Sequence, residues 1–149
     1  MQGLYFEEFS IGQKYISAAH RVTDDDILSF AELTGDHNRI HTDEEFAKGT
    51  PYGQRIAHGL LGLSTAIGLL MQTGMLDGSV IAFREILEWK FIKPVFIGDS
   101  IRAEVEVMQL KEMPRIGGGL VTIAMDVKNQ REETPMRGTL SVLVASKPG

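Results

Sequence analysis

The sequence predicts an α+β fold in which an antiparallel sheet wraps around one long, buried helix, and three observations lead there. GLLGLSTAIGLLM, Gly59 to Met71, has helical length and few polar residues, so it belongs in an interior. From Ser79 onward the chain turns to strand-like stretches, several alternating apolar and polar residues at period two. Turn-forming segments, PVFIGD and RIGGG, separate those stretches at short intervals.

Along the chain, TDDDILSFAELTG carries marks of both helix ends. Thr23 is a good N-cap and Asp26, three residues on, completes a capping box; the acidic run suits the positive end of the helix dipole. Ile27, Phe30, Ala31 and Leu33 are placed on one buried face, and Gly35 stops the helix. A short helical turn over Glu44–Lys48 follows, closed by Gly49, and then a Gly/Pro-rich loop, TPYGQRIAHG, leads into the apolar helix. Gly62 and Gly68 cost helix propensity, and close packing against a sheet is the expected reason for them. The strands are IAFREILEWKFIKP, DSIRAEVEVMQL, GLVTIAMDV and GTLSVLVAS. Ile101, Ala103, Val105 and Val107 alternate with charged residues, and Val121, Ile123, Met125 and Val127 repeat the pattern, so each strand has one buried face. Trp89 and Phe91 share a face with Leu87, with core packing as the expectation. Such a sheet has free edges, and pairing with a second copy is the expected remedy: a homodimer or higher homo-oligomer.

The 149 residues suit one domain, 1–149, and 43% hydrophobic content supplies a core. A net charge of -5 argues against nucleic acid as a partner. Without cysteine there is neither a disulfide nor thiolate chemistry. MQGLYFEEFSIGQKY lacks the apolar run of a signal peptide, and the longest apolar stretch, 13 residues, falls short of the roughly 18 that cross a bilayer. A soluble, cytoplasmic protein without membrane partners is expected.

The chemistry concentrates in TGDHNRIHTDEEF, where Asp36 precedes His41 by five residues in what reads as an irregular loop. A carboxylate and a neutral imidazole are the usual side chains for moving protons near neutral pH, and a water held between them would be polarised by one and oriented by the other. The bland alternative is that Asp36 caps a helix starting near Thr42 and His41 is exposed; loops rich in Asp and His are common. The second element is AHGLLGLS. If the apolar helix begins at Gly59, its first N–H groups lack helical partners and can hold an oxygen that gains negative charge. Otherwise Gly59 merely permits the turn. His58 could touch a ligand or shape that turn, while His20 and His37 read as surface residues.

These stretches together resemble the MaoC-like dehydratase family, which includes the (R)-specific enoyl-CoA hydratases. The family pattern is a G-D-x-N-P-x-H loop, an H-G pair opening a long helix, and a K/R-P-V-x-x-G-D turn. Here the three stand as Gly35-Asp36-His37-Asn38-Arg39-Ile40-His41, as His58-Gly59, and as Lys93-Pro94-Val95-Phe96-Ile97-Gly98-Asp99. The similarity runs from about Phe6 to Val144. It implies a hot-dog fold, a dimer, and an acyl-CoA or acyl-carrier thioester threaded toward the Asp/His loop. It further implies Asp36 as base toward a water, His41 as the group that holds that water and exchanges the second proton, and the Gly59 amide as donor to the thioester oxygen, with Asn38 bracing the loop. The implied reaction adds water across a trans-2-enoyl thioester to give the (R)-3-hydroxyacyl product, or reverses it, with no metal and no cofactor required.

Two positions depart from the pattern. Arg39 replaces the family proline, which would stiffen the loop, and could instead reach a carboxylate or phosphate on the substrate. Ile67 stands eight residues after Gly59, where some hydratases carry a serine. Arg55, Lys90 and Lys93 could meet the phosphates of a CoA or remain solvated. Two rival readings follow: a hot-dog thioesterase, since one scaffold hosts several chemistries, and a non-catalytic acyl-thioester binding protein in which Arg39 has ended turnover.

Overall fold

The computed structural model describes residues 2–149 and arranges six strands in a single antiparallel sheet. The strands are β1 (Lys14–Ile16), β2 (His20–Arg21), β3 (Val80–Phe91), β4 (Ser100–Met113), β5 (Gly118–Asn129) and β6 (Met136–Ala145). The sheet runs β1-β4-β5-β6-β3, and β2 also pairs with β4. The helices are α1 (Asp24–Thr34), α2 (Arg39–Thr42), α3 (Glu44–Lys48) and α4 (Gly59–Gln72).

The register explains the core. Val105 faces Met125, Val107 faces Ile123, and Ile123 in turn faces Leu140, so inward residues of β4, β5 and β6 form continuous rows. All five are at most 4% exposed. A bulge between Val107 and Gln109 adds one residue, Met108, to β4 and reverses the alternation beyond it. Leu110, not Gln109, consequently joins the core cluster. Truncating a side chain of this buried set, such as Leu140→Ala, costs about 2–5 kcal/mol.

Helix α4 lies against this sheet and buries Leu61, Leu63, Ala66, Leu69 and Leu70. It is not enclosed all round: Leu60 is 60% exposed. Gly62 answers to the close-packing expectation, since a Cβ there would lie 2.5 Å from Met136 Cε. Gly68 does not, because a Cβ there meets nothing within 4 Å.

In α1 the capping box forms as read: Thr23 Oγ1 accepts from Asp26 N at 3.2 Å, and Asp26 Oδ2 accepts from Thr23 N at 3.0 Å. Gly35 ends the helix in the left-handed region at φ 82°. Ile27 and Ala31 are buried, but Leu33 is 84% exposed. Six residues beyond Ile27, it stands about 240° round the helix, off the stripe that a 3.6-residue period defines.

Strand β3 also departs from expectation. Three register shifts interrupt its pairing with β6, and its other edge is unpaired. Trp89 reaches the core, whereas Leu87 and Phe91 remain exposed, so core packing fails for those two. Leu87 is the extra residue at the bulge between Ile86 and Glu88, and Phe91 shares the face of Trp89 but lines the open cavity beside Gly59. Among the described residues no helix is long and apolar enough to cross a membrane.

Candidate active site

The loop after α1 is fixed by short side-chain to main-chain bonds. Asp36 Oδ1 accepts from Asn38 N at 3.2 Å, forming a turn of the kind Asp favours. Asn38 Oδ1 then accepts from Ile40 N at 3.3 Å and caps α2, and Asp43 Oδ1 accepts from Phe46 N at 3.1 Å and caps α3. The segment is therefore not irregular throughout: His41 sits on the short helix α2. The capping roles fall to Asn38 and Asp43, which leaves Asp36 out of the role the bland reading gave it.

His41 is held by its ring. Nδ1 lies 2.8 Å from the Ile56 carbonyl, which can only accept, so Nδ1 carries the hydrogen and Nε2 is the free nitrogen of the neutral ring. Burial holds the imidazole below its usual pKa, and neighbouring His58 adds to this, against the opposing Ile56 hydrogen bond and the charge of Asp36. His41 is thus neutral at pH 7.

His58, only 3% exposed, N-caps α4 and does two things at once. Its Nε2 donates to the Asp36 carbonyl at 2.9 Å, and its ring stacks on His41 with centroids 4.0 Å apart. Phe30 closes the other side at 4.8 Å. Nδ1 of His58 is buried without a hydrogen-bond partner.

One donor atom each from Asp36, His41 and His58 lies within 4.8 Å of the others. These are metal-ligand types. The two imidazole planes, however, are only 29° apart. Ring-nitrogen lone pairs lie in those planes, so they run nearly side by side instead of converging from the well-separated directions a tetrahedral ion requires. The arrangement suits proton movement better than coordination.

The trio opens on a cavity of about 480 Å³. Asp36, His41, His58 and Gly59 line its polar end, and Tyr52, Phe91 and Met136 supply apolar wall. Gly59 starts α4, whose N-cap side chain makes no capping bond, so the first N–H groups are left for another acceptor. A Cβ on Gly59 would lie 2.8 Å from Phe91 Cε1, so any side chain here would have to displace that ring. Cavity and helix end coincide.

Of the six residues singled out in the sequence, Asp36, His41, His58 and Gly59 meet at the cavity, while Asn38 and Arg39 are not in its lining. Asn38 braces the loop from behind. Arg39 pairs with Asp43 at 3.4 Å and lies 4.5 Å from the centroid of the Phe46 ring. Lys93 lines the cavity and pairs with Glu133 at 2.8 Å, and Lys90 pairs with Glu88. Sequence reasoning missed Tyr52 and Phe91, whose only signal was their place in a loop before His58 and on a strand before Lys93. His20 bonds Asp26 and His37 is exposed near Glu32, both outside the cavity.

Comparisons with known proteins agree with this architecture. A family model described as "MaoC like domain" matches residues 7–129. The uncharacterized protein YdeM of Bacillus subtilis is 34% identical over 138 residues, which cover 93% of this chain and 96% of that protein. An (R)-specific enoyl-CoA hydratase of Aeromonas caviae is 36% identical over 106 residues, 71% of this chain and 76% of that one. Among solved structures, a monoamine oxidase regulatory protein from Archaeoglobus fulgidus superposes with a TM-score of 0.92 at 41% identity, covering 99% of this chain and 98% of that chain. A Mycobacterium tuberculosis protein described as a double hotdog fold superposes at 0.80 with 19% identity, over 99% of this chain and 47% of that chain, and shows the fold alone. The sheet and central helix described above are that hot-dog fold.

Proposed function

The chain belongs to the MaoC-like family, and from that membership we propose that it is a hydratase/dehydratase of acyl thioesters, adding water to trans-2-enoyl thioesters to give (R)-3-hydroxyacyl thioesters. The observation that carries the reading is the spacing of the trio. Two hydrogen bonds of about 2.8 Å from one water oxygen at a tetrahedral angle span about 4.6 Å. One carboxylate oxygen of Asp36 and one ring nitrogen of His41 lie no more than 4.8 Å apart, close enough for a single water to reach both.

In this mechanism the Asp36 carboxylate removes a proton from the water, while His41 Nε2 accepts the water's other hydrogen bond. The water oxygen bonds to C3, the C2–C3 π pair shifts toward the carbonyl, and the N–H at Gly59 receives the oxygen as it becomes an enolate. The proton gained by Asp36 passes through His41 Nε2 to C2 on the same face. Hydrogen and hydroxyl have then been added and both side chains are restored. Dehydration is the reverse path. The neutral His41 supports this role, because a protonated ring has no lone pair to offer the water.

The acyl group of a CoA or acyl-carrier thioester would occupy the apolar side of the cavity, beside Phe91 and Met136. A second copy would pair along β3, whose open edge carries Ile81, Phe83, Ile86, Leu87 and Phe91, all 41–53% exposed. The test is to add the protein to a panel of trans-2-enoyl-CoAs. Loss of enoyl-thioester absorbance with an (R)-3-hydroxyacyl product is the expected result. Release of free thiol in its place would make the protein a thioesterase.

A further inference from the structure

We propose that Arg55 is a positioning residue for this site, gripping the main chain of α2 so that His41 keeps its working distance from Asp36; the catalytic part of the proposal rests on the hydratase reading. In the sequence Arg55 reads as a possible phosphate contact. Its side chain is 14% exposed, and two of its three nitrogens are engaged within the chain. Nε donates to the His41 carbonyl at 2.6 Å, and Nη2 reaches Asp24 Oδ1 at 2.5 Å.

The neighbouring residue completes the grip. Ile56 N–H donates to the Ile40 carbonyl at 3.3 Å, and the Ile56 carbonyl accepts from His41 Nδ1 at 2.8 Å. A helix as short as α2 leaves its last carbonyls without helical partners. Residues 55 and 56 supply two of them, so His41 is fixed by its own carbonyl, by the carbonyl before it and by its ring. Arg55 carries this restraint to the core: Asp24 opens α1, and Ile27 and Ala31 of α1 are fully buried.

The guanidinium is suited to this because resonance fixes its N–H directions in one plane, with Nε and Nη2 serving two acceptors at once. A lysine ammonium is a single point on a flexible stem. It can meet Asp24 or the carbonyl, but does not brace both with fixed geometry. Without the fork, α2 keeps its caps at Asn38 and Asp43 but loses its tie to α1. The imidazole can then drift relative to Asp36, and a displacement of about 1 Å at a reacting group is worth on the order of 100-fold in rate.

The experiment compares wild type with Arg55→Met, Arg55→Lys and Asp24→Asn, reading hydration of trans-2-enoyl-CoA and, without substrate, the ¹⁵N chemical shifts of the His41 ring. Arg55→Met is expected to lower kcat by about 30- to 100-fold with KM within about threefold, and to replace the single Nδ1–H tautomer by a mixture. Arg55→Lys should recover part of kcat, and Asp24→Asn should lose about tenfold. If Arg55→Met does not fold, Asp24→Asn decides by the same readouts. A folded Arg55→Met with wild-type kcat and a single His41 tautomer overturns the proposal. So does a raised KM at unchanged kcat, which would mark Arg55 as a substrate contact. Should the wild type hydrate no enoyl-CoA, the hydratase reading fails, and the tautomer measurement still decides whether Arg55 holds His41.

Discussion

The rings of His41 and His58 stack 4.0 Å apart, and the Nε2–H of His58 holds the carbonyl of Asp36 at 2.9 Å. One buried side chain thus touches both halves of the proposed acid/base pair. It makes their geometry depend on a residue that does no chemistry in the proposed mechanism.

That dependence predicts the behaviour of His58→Phe, which retains an aromatic face for His41 but removes the N–H that anchors Asp36. Activity should fall by about 10- to 100-fold, since the loop can shift while its residues remain. Stability should change by less than about 1 kcal/mol, because the substitution also removes the buried, unpartnered Nδ1. Enoyl-CoA kinetics and thermal melts on the same sample separate the two.

Acid should affect activity through His41. The groups around it are Asp36, His58 and Arg55, with Asp24 beyond the guanidinium. Burial foremost, with help from His58, depresses the imidazole pKa, so the acid limb of kcat/KM should lie below about 6.5, the ordinary histidine value. The same shift has a consequence for stability. Just below pH 6.5 the unfolded chain binds a proton at this residue that the folded chain does not. The contribution is complete above about 6.5 and is lost as pH falls from there through the depressed folded value. His41→Gln should therefore flatten the decline in melting temperature over that window.

Arg39→Pro should stabilise the protein and leave KM unchanged. Asn38 already has φ -53° and ψ 135°, the extended conformation preferred before proline, and position 39 opens α2, where proline lacks no needed N–H. The gain should be about 0.4–1 kcal/mol from a stiffer unfolded chain, less a few tenths for the exposed pair with Asp43. Chemical denaturation measures it. A several-fold rise in KM would instead place the guanidinium on the substrate.

A different group contributes to stability in stronger acid. Glu133 accepts from Lys93 Nζ, Asn129 Nδ2 and Arg131 Nε at 2.8–2.9 Å, and these bonds, Lys93 first, lower its pKa to about 2. A depressed carboxylate stabilises above its unfolded value, here 4.5, and that contribution is lost as pH falls toward about 2. Glu133→Gln should make unfolding less pH-dependent across that range, as equilibrium melts at stepped pH would record.

What was legible in the sequence was local. The Thr23–Asp26 capping box lies within one turn, and the alternation from Ile101 to Val107 states its own buried face. That Asp36, His41 and Gly59 would line one cavity was legible because the family pattern brings them together. What was not legible depends on partners distant in the chain. The Arg55–Asp24 pair spans 31 positions, and nothing near Arg55 distinguishes it from a solvated cation. Leu87 and Phe91 have a core strand's composition, yet one falls on a bulge set by pairing with β6 and the other on the cavity beside Gly59, and neither is written in the strand's own residues. The extra residue at Met108 is likewise set by pairing with β5.

The roles of Asp36 and His41 are tested most directly by the rate of trans-2-enoyl-CoA hydration by Asp36→Asn and His41→Gln, each shown to be folded by its circular dichroism. Either substitution is expected to lower kcat by at least about 100-fold. Wild-type turnover in either folded variant would contradict those roles.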